Sequence, residues 1–325
     1  MTEIPPPSTL APARERKLLL VRLCNWVGEV VLSIPAIDAL AEAGWDVHLY
    51  GKSWAPALLQ GLGYPVSVRV AGLGAVAQLR GIARQSHPRA RRASALLLTR
   101  SFSSALETRA AGMRPSGYAY DGRSFLLTHA YPRPAGLHAA ADYWHLAHRF
   151  LGRDTPFAVS RAYLAPSPAQ VQKAHDLLAA EGLGHAGYTV LCPFSGSDDR
   201  DGGKVWPGFP ALHAALLAEG ARTLVCPGPG ELERSAAQFP GASILPGVDL
   251  GTYAALMQAA ARVVANDTGP GHIAAAVGAR LVGVYGPRSS AIWGPIGPRV
   301  RLLHGTDAWP EVETVLGLVR AIDRL

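Results

Sequence analysis

The stretch VVANDTGPGHIAAAVGARLVGVYGP, residues 263–287, reads as a strand, a Gly-rich turn, a helix and a second strand. With Arg262, its first residues give RVVA, a short apolar, β-branched run of the kind that forms a buried parallel strand. HIAAAVGA is rich in helix formers, and RLVGVYG returns to the strand pattern. Between them, Asn266 to His272 contain Gly269 and Gly271, which leave the main chain uncovered at a helix start. Bare N–H groups there, together with the helix dipole, favour an anion. Thr268 adds a hydroxyl donor, and Pro270 lacks an N–H where none is needed. Asp267 would repel a phosphate, so it is expected to meet sugar hydroxyls or cap the helix. His272 either donates to a phosphate or packs on the next strand. A plain N-cap in a tight turn accounts for the same residues, so spacing alone leaves both readings open.

The same alternation extends in both directions. LLLVRL (18–23), VHLYG (47–51), VSVRV (66–70) and ALLLT (95–99) read as strands separated by helical stretches. YLAPSPAQ (163–170) reads as a linker, after which YTVLC (188–192), RTLVC (222–226) and SILPG (243–247) continue the pattern. Asp249 is placed to cap the helix after SILPG. Pro35 sits inside a helical pattern and is expected to kink it. PEVETVLGLVRAIDRL (310–325) reads as a terminal amphipathic helix. With 325 residues, at about 150 per domain, the chain should form two domains. We expect an α/β fold of two Rossmann-like, doubly wound domains facing a central cleft. They are residues 1–165, with 1–16 a frayed tail, and 166–325. Ligands in such sheets bind beyond the carboxyl ends of the strands.

The composition is globular, with 49% hydrophobic and 17% charged residues. The net charge of +7 is uneven. Residues 1–165 carry 19 Lys and Arg against 10 Asp and Glu, whereas 166–325 carry 12 against 14. A basic first half suits an anionic partner or membrane surface, or is simply a solvated Arg-rich exterior. Cys24, Cys192 and Cys226 form no CxxC pair and read as buried thiols of a reducing compartment. The N-terminus lacks a signal-peptide pattern, and no apolar run approaches the roughly 20 residues that span a bilayer. The expectation is a cytoplasmic protein, with peripheral contact to the inner face of the membrane. Basic residues lack interleaved aromatics, which disfavours nucleic acid.

Other residues point to the same cleft. PFSGSDDRDGGKVWPGF (193–209) follows a strand and offers Ser195, Gly196 and Ser197 as donors and Lys204 as a point charge for phosphate. CPGPGELERSA supplies Glu231 and Glu233 as ribose ligands or as ordinary first-turn acids. Glu29 in NWVGEVV lies at a helix start beside the first strand, either a general base on a hydroxyl or simply an acid stabilised at a helix N-terminus, its pKa lowered by the dipole. Trp26 either packs on sugar or fills the core. Arg91, Arg92, Arg114 and Arg123 are candidate contacts for a phosphorylated acceptor. GLGAVA (72–77) fits a dinucleotide turn, but no acid follows about 20 residues on. His138, Asp142, His145 and Arg149 share one helical face, either a polar lining or a metal site.

Three segments resemble the heptosyltransferases of glycosyltransferase family nine. LLLVRLCNWVGEVVLSIPAIDAL is similar to the family's first strand and its Asn-Trp-(Ile/Val)-Gly-Asp segment. LLLTRSFSSALETRAAGMRPSGYAYDGRSFLLT resembles its Asn-Ser-Phe-(Lys/Arg)-Ser-Ala-Leu region, and the 263–287 stretch resembles its donor-site signature. The resemblance implies a GT-B fold and inverting, metal-independent transfer of a heptose from ADP-heptose to a lipopolysaccharide inner-core acceptor, with no cofactor. It implies Glu29 as base, Lys204 on the diphosphate, Thr268 to Gly271 on phosphate, Asp267 on the nucleotide sugar, and Glu231 or Glu233 on ribose. Glu29 replaces the usual Asp, Ser103 a usual basic residue, and Thr99-Arg100 a usual Pro-Asn. A related transferase with another nucleotide sugar or a different acceptor, and an NAD(P)-dependent dehydrogenase, are the alternatives.

Overall fold

The computed structural model describes residues 17–86, 93–184, 187–195, 204–287, 289 and 291–322. The first sheet contains β1 (Lys17–Arg22), β2 (Trp45–Gly51), β3 (Val66–Val68), β4 (Ser94–Leu97), β5 (Arg114–Tyr118) and β6 (His129–Tyr131). Their order is β3-β2-β1-β4-β5-β6, with every pairing parallel. Crossovers are made by α1 (Val27–Glu42), α2 (Ala55–Leu59), α3 (Leu73–Ser86) and α4 (Phe102–Ala110), and α5 (Ala139–Phe150) follows β6. The chain then passes through α6 (Pro168–Ala180) into a second sheet.

That sheet contains β7 (Tyr188–Cys192), β8 (Arg222–Val225), β9 (Ser243–Ile244), β10 (Arg262–Asn266), β11 (Leu281–Tyr285) and β12 (Val300–His304). Its order, β12-β11-β10-β7-β8-β9, repeats the topology of the first sheet, again all parallel. Its helices are α7 (Phe209–Ala218), α8 (Leu232–Gln238), α9 (Leu250–Ala259), α10 (Gly269–Ala276) and α11 (Val312–Ala321). The doubly wound α/β architecture expected from the sequence is therefore the observed one.

Local signals explain most elements. β1 buries five of its residues in a row and β10 four, as strands covered on both faces must. Asp249 caps α9 by accepting from the Gly251 and Thr252 amides at 3.1 and 2.9 Å. The segment read as a linker ends in a capping box, Ser167 with Gln170, that opens α6. Pro35 lies inside α1, which runs through it unbroken. The terminal helix begins later than expected, with Glu311 at its N-cap.

One buried apolar cluster crosses between the sheets, from Leu19 and Ile34 through Tyr143 to Ile273 and Leu281. At this junction α1 packs against α10, and α2 against α9. A Cβ on Gly28 would stand 2.6 Å from His272 Cδ2, so the two helix starts meet as closely as a glycine permits.

Candidate functional site

In each sheet the strand order reverses between the first and fourth strands, β1 and β4, and β7 and β10. Loops diverge at such a point and leave a crevice at the carboxyl ends. The candidate residues gather there. Trp26 and Glu29 follow β1, and Arg100 follows β4. Lys204 follows β7, and Asp267 to His272 follow β10. α1 and α10 both start at the junction, neither with a side-chain cap, and a Cβ on Gly269 would stand 3.0 Å from Val27 Cβ. Two positive helix ends thus converge on one crevice.

Thr268 is the N-cap of α10, in an extended conformation (φ −143°, ψ 168°). Its amide donates to Asn266 O at 2.8 Å, and the Gly271 amide donates to Thr268 O at 3.1 Å. Both amides are spent, so among the described residues the donors left at the turn are the Gly269 amide and the Thr268 hydroxyl. The Thr268 Oγ1, His272 Nδ1 and Tyr285 hydroxyl atoms are buried without a hydrogen-bond partner among the described residues. Buried polar atoms are seldom left so. Thr268 and His272 belong to the first turn of α10, and Tyr285 closes the neighbouring strand β11.

Asp267 is half-buried. Burial pushes its pKa up, while the charges of Lys204 and His304 pull it down, so the Lys204 ammonium stands near this carboxylate. Asn266 fixes that arrangement. Its side chain accepts from the Trp206 amide at 2.9 Å and donates to Pro193 O at 2.8 Å, tying both ends of the Lys204 loop to the end of β10. His272 is buried and its pKa falls to about 4, through burial first and His138 second. It is therefore neutral at ordinary pH, and its ring packs on Gly28 of the first sheet's side, not on the next strand as one reading had it.

Across the crevice, Glu29 sits in the first turn of α1. Tyr143 of α5 donates its hydroxyl proton to Glu29 Oε1 at 3.2 Å, and the same hydroxyl lies 3.3 Å from Cys24 Sγ. Burial pushes the Glu29 pKa up, against the Tyr143 hydrogen bond, the Arg100 charge and the Trp26 amide, which lower it. The helix dipole, expected from sequence to lower this pKa, is outweighed. Desolvation wins because the carboxyl is sandwiched between α1 and α5. The Cys24 thiol is pushed up to about 12 by burial, so it stays a thiol. Trp26 is 63% exposed beside Glu29, with the Lys52 ammonium 5.9 Å from its ring centroid.

The family model described as glycosyltransferase family 9 (heptosyltransferase) matches residues 89–315. The chain belongs to glycosyltransferase family nine. Among solved structures, it is similar to the ADP-heptose lps heptosyltransferase II of E. coli, at 22% identity and a TM-score of 0.78 over 95% of this chain and 98% of that one. A family 9 glycosyl transferase from Veillonella parvula gives 17% identity and a TM-score of 0.78 over 95% and 97%. E. coli heptosyltransferase WaaC with ADP gives 18% and 0.74 over 94% and 99%. At these identities the likeness shows the fold, which is GT-B. A search of curated proteins by sequence finds no match.

Within this family nine chain several expectations need correcting. Arg114 opens β5, at the amino end of the strand and so on the rim opposite the crevice. Arg123 is fully buried. Its guanidinium donates to Thr99 O at 2.7 Å, Ser101 O at 3.2 Å and Tyr118 O at 3.1 Å. Burial and Arg100 lower its pKa to about 10. It braces the loop after β4 and leaves no exposed surface for an acceptor. GLGAVA joins β3, an edge strand, to α3, so it is not at the crevice where a dinucleotide turn belongs. On the polar face of α5, Asp142 pairs with Arg133 at 2.9 Å, His138 reaches Gly294 O at 3.0 Å and His145 Nδ1 reaches the Tyr118 hydroxyl at 3.0 Å. Each is separately engaged, and among the described residues no His, Cys, Asp and Glu group is arranged for a metal.

The remaining candidates divide. Glu231 Oε2 accepts from the Gly228 amide at 2.7 Å, which holds the loop before α8 and leaves one carboxylate oxygen for a ligand. Glu233 is exposed in the first turn of α8. Ser195 is half-buried after β7, while Gly196, Ser197, Arg91 and Arg92 lie outside the described residues. The sequence reading missed Tyr143, Arg100, Asn266 and Tyr285. Asn266 alone carried a signal, as a polar residue closing an apolar strand. Tyr143 could not be found from spacing, because its partner Glu29 is 114 positions away.

Proposed function

We propose that this family nine enzyme moves a heptose from ADP-heptose to a sugar hydroxyl of the lipopolysaccharide inner core, inverting the anomeric centre in one displacement. Glu29 accepts the proton of the acceptor hydroxyl, whose oxygen bonds to the anomeric carbon as the bond to the β-phosphate breaks and ADP departs. The charge growing on ADP is met by the Lys204 ammonium, the Gly269 amide and the Thr268 hydroxyl. Donors fixed in advance of reaction are typically worth about 3 kcal/mol each. Asp267 and the free oxygen of Glu231 take hydroxyls of the nucleotide sugar, and Trp26 takes a face of the acceptor.

The observation that carries this reading is the pairing, across one crevice, of a desolvated carboxylate at the α1 start with unpaired donors at the α10 start. The raised pKa of Glu29 suits a general base, whose help is worth about 10²–10⁴-fold. ADP and an ADP-2-deoxy-2-fluoro heptose are named for WaaC, which supports the choice of donor. The test is Glu29→Gln, assayed by ADP release and by ADP titration. Transfer should vanish while ADP affinity stays the same. Turnover within tenfold of the unaltered enzyme would remove Glu29 as base. A donor panel of ADP- and UDP-sugars decides the sugar, and transfer from a UDP-sugar alone would replace the ADP-heptose reading.

A further inference from the structure

Of the large apolar side chains that the described residues leave exposed, most lie in the first sheet and its helices. Leu73 is 90% exposed, Phe125 73%, Leu106 48% and Phe102 39%. Phe102 and Phe125 touch, with ring centroids 6.0 Å apart, and Arg100 lies 5.6 Å over the ring of exposed Tyr120. These groups are not scattered. Helices α3 and α4 pack side by side on the sheet face turned away from α10, and Arg80 of α3 donates to Ala110 O of α4 at 2.7 Å. Each presents one exposed stripe at helical spacing: Leu73, Ala77, Arg80 and Arg84 on α3, and Phe102, Leu106 and Arg109 on α4. Both stripes begin apolar at the carboxyl end of the first sheet and end in arginine.

The charge of this face is one-sided. Among the described residues of 66–125, Arg69, Arg80, Arg84, Arg100, Arg109, Arg114 and Arg123 stand against Glu107 and Asp121, with no lysine. Glu107 is half-buried, and its charge acts on Arg22 and Tyr50 beneath. The exposed stripes therefore carry no negative charge.

We propose that the α3–α4 face docks on a bilayer containing acidic phospholipid. Phe102, Leu106, Phe125 and Leu73 enter the boundary between headgroups and acyl chains, and the arginines reach lipid phosphates. Exposed aromatics and aliphatics flanked by cations on parallel helices are the composition of an interfacial surface. A polyanion such as nucleic acid satisfies the arginines but gives no reason to expose Leu73 and Phe125. Arg100 joins this face to the crevice, because its charge reaches Glu29. The docked chain would thus hold its crevice rim at the membrane surface. The inference needs neither nucleotide nor acceptor, so it stands or falls apart from the proposed reaction.

Vesicle flotation tests it on the full chain. With vesicles of phosphatidylcholine and about one-third phosphatidylglycerol the protein should float, and with phosphatidylcholine alone it should bind at least tenfold more weakly. Leu73→Ser with Phe125→Ser, and separately Arg84→Glu with Arg109→Glu, should each cost about tenfold or more in affinity. All four sites are exposed, and unchanged melting curves would show that both variants fold. Hydrogen exchange on the unaltered chain repeats the test, with amides at 73–77 and 102–106 slowing when acidic vesicles are added. No flotation, equal binding to neutral vesicles, unslowed exchange, or an apolar double variant that binds like the parent would overturn the proposal.

Discussion

Replacing Tyr143 by Phe removes one hydroxyl from the site and nothing else. That hydroxyl donates to Glu29 Oε1 at 3.2 Å, a bond that favours the ionised carboxylate. Hydrogen bonds to charged groups are worth about 1.5–3 kcal/mol, and the length of this one places it near the lower limit. One pKa unit corresponds to about 1.4 kcal/mol, so the Glu29 pKa should rise by about one unit. Glu29 acts as a base only when ionised. Activity is therefore lost as pH falls through its pKa, and the acid limb of kcat/KM should move to higher pH by about one unit. The plateau above the limb should change little, since the Cys24 thiol still has Leu98 O as an acceptor at 3.5 Å. The assay is ADP release as a function of pH, with melting curves for both proteins. An acid limb that stays in place, or a loss of rate equal at every pH, would refute the coupling of Tyr143 to a catalytic Glu29.

Four further outcomes follow from the geometry. Lys204→Ala should weaken ADP binding by about tenfold or more in a calorimetric titration, because an ammonium beside the diphosphate is removed. Gly28→Ala sets a methyl 2.6 Å from His272 Cδ2 and should cost about 1–3 kcal/mol in denaturant unfolding, with His272→Ala in the same chain recovering part of the loss. Arg123→Met strands the carbonyls of Thr99, Ser101 and Tyr118 and should cost about 3 kcal/mol or more, read from the same unfolding curves. His272 has a folded pKa of about 4 against an ordinary 6.5, so the unfolded chain binds its proton first. Its contribution should be present above pH 6.5 and lost as pH falls toward 4, by up to about 3 kcal/mol. His272→Gln should flatten that part of the stability profile.

The sequence made the fold legible where strands are buried on both faces. β1, β7 and β10 appear as short, largely apolar runs, and the Gly-rich turn before α10 marks the strand-to-helix boundary. β5 was missed because its residues are Arg-Pro-Ser-Gly-Tyr, and a proline normally argues against a strand flanked on both sides. β6 and β12 were missed as edge strands that need no apolar run. At the site, the sequence placed Glu29, Lys204 and the 267–272 turn at the crevice, since all three follow strands that topology brings together. It misplaced Arg114 and Arg123, because charge counts say nothing about which end of a strand a residue occupies or whether a guanidinium is buried on carbonyls. It missed Tyr143, because α5 meets α1 only in three dimensions. Its error over the Glu29 pKa has the same origin, as the dipole is local and visible in sequence whereas desolvation by α5 is not.

The central claim is that a nucleotide diphosphate rests on the start of α10, facing Glu29. The most direct measurement is a crystal structure of the complex with ADP. The account predicts the β-phosphate within hydrogen-bonding distance of the Gly269 amide and the Thr268 hydroxyl, with the Lys204 ammonium alongside. Diphosphate bound elsewhere, for instance in the cleft of about 410 Å³ lined by Trp206, Phe209 and Arg234, with the turn making no contact, would contradict it.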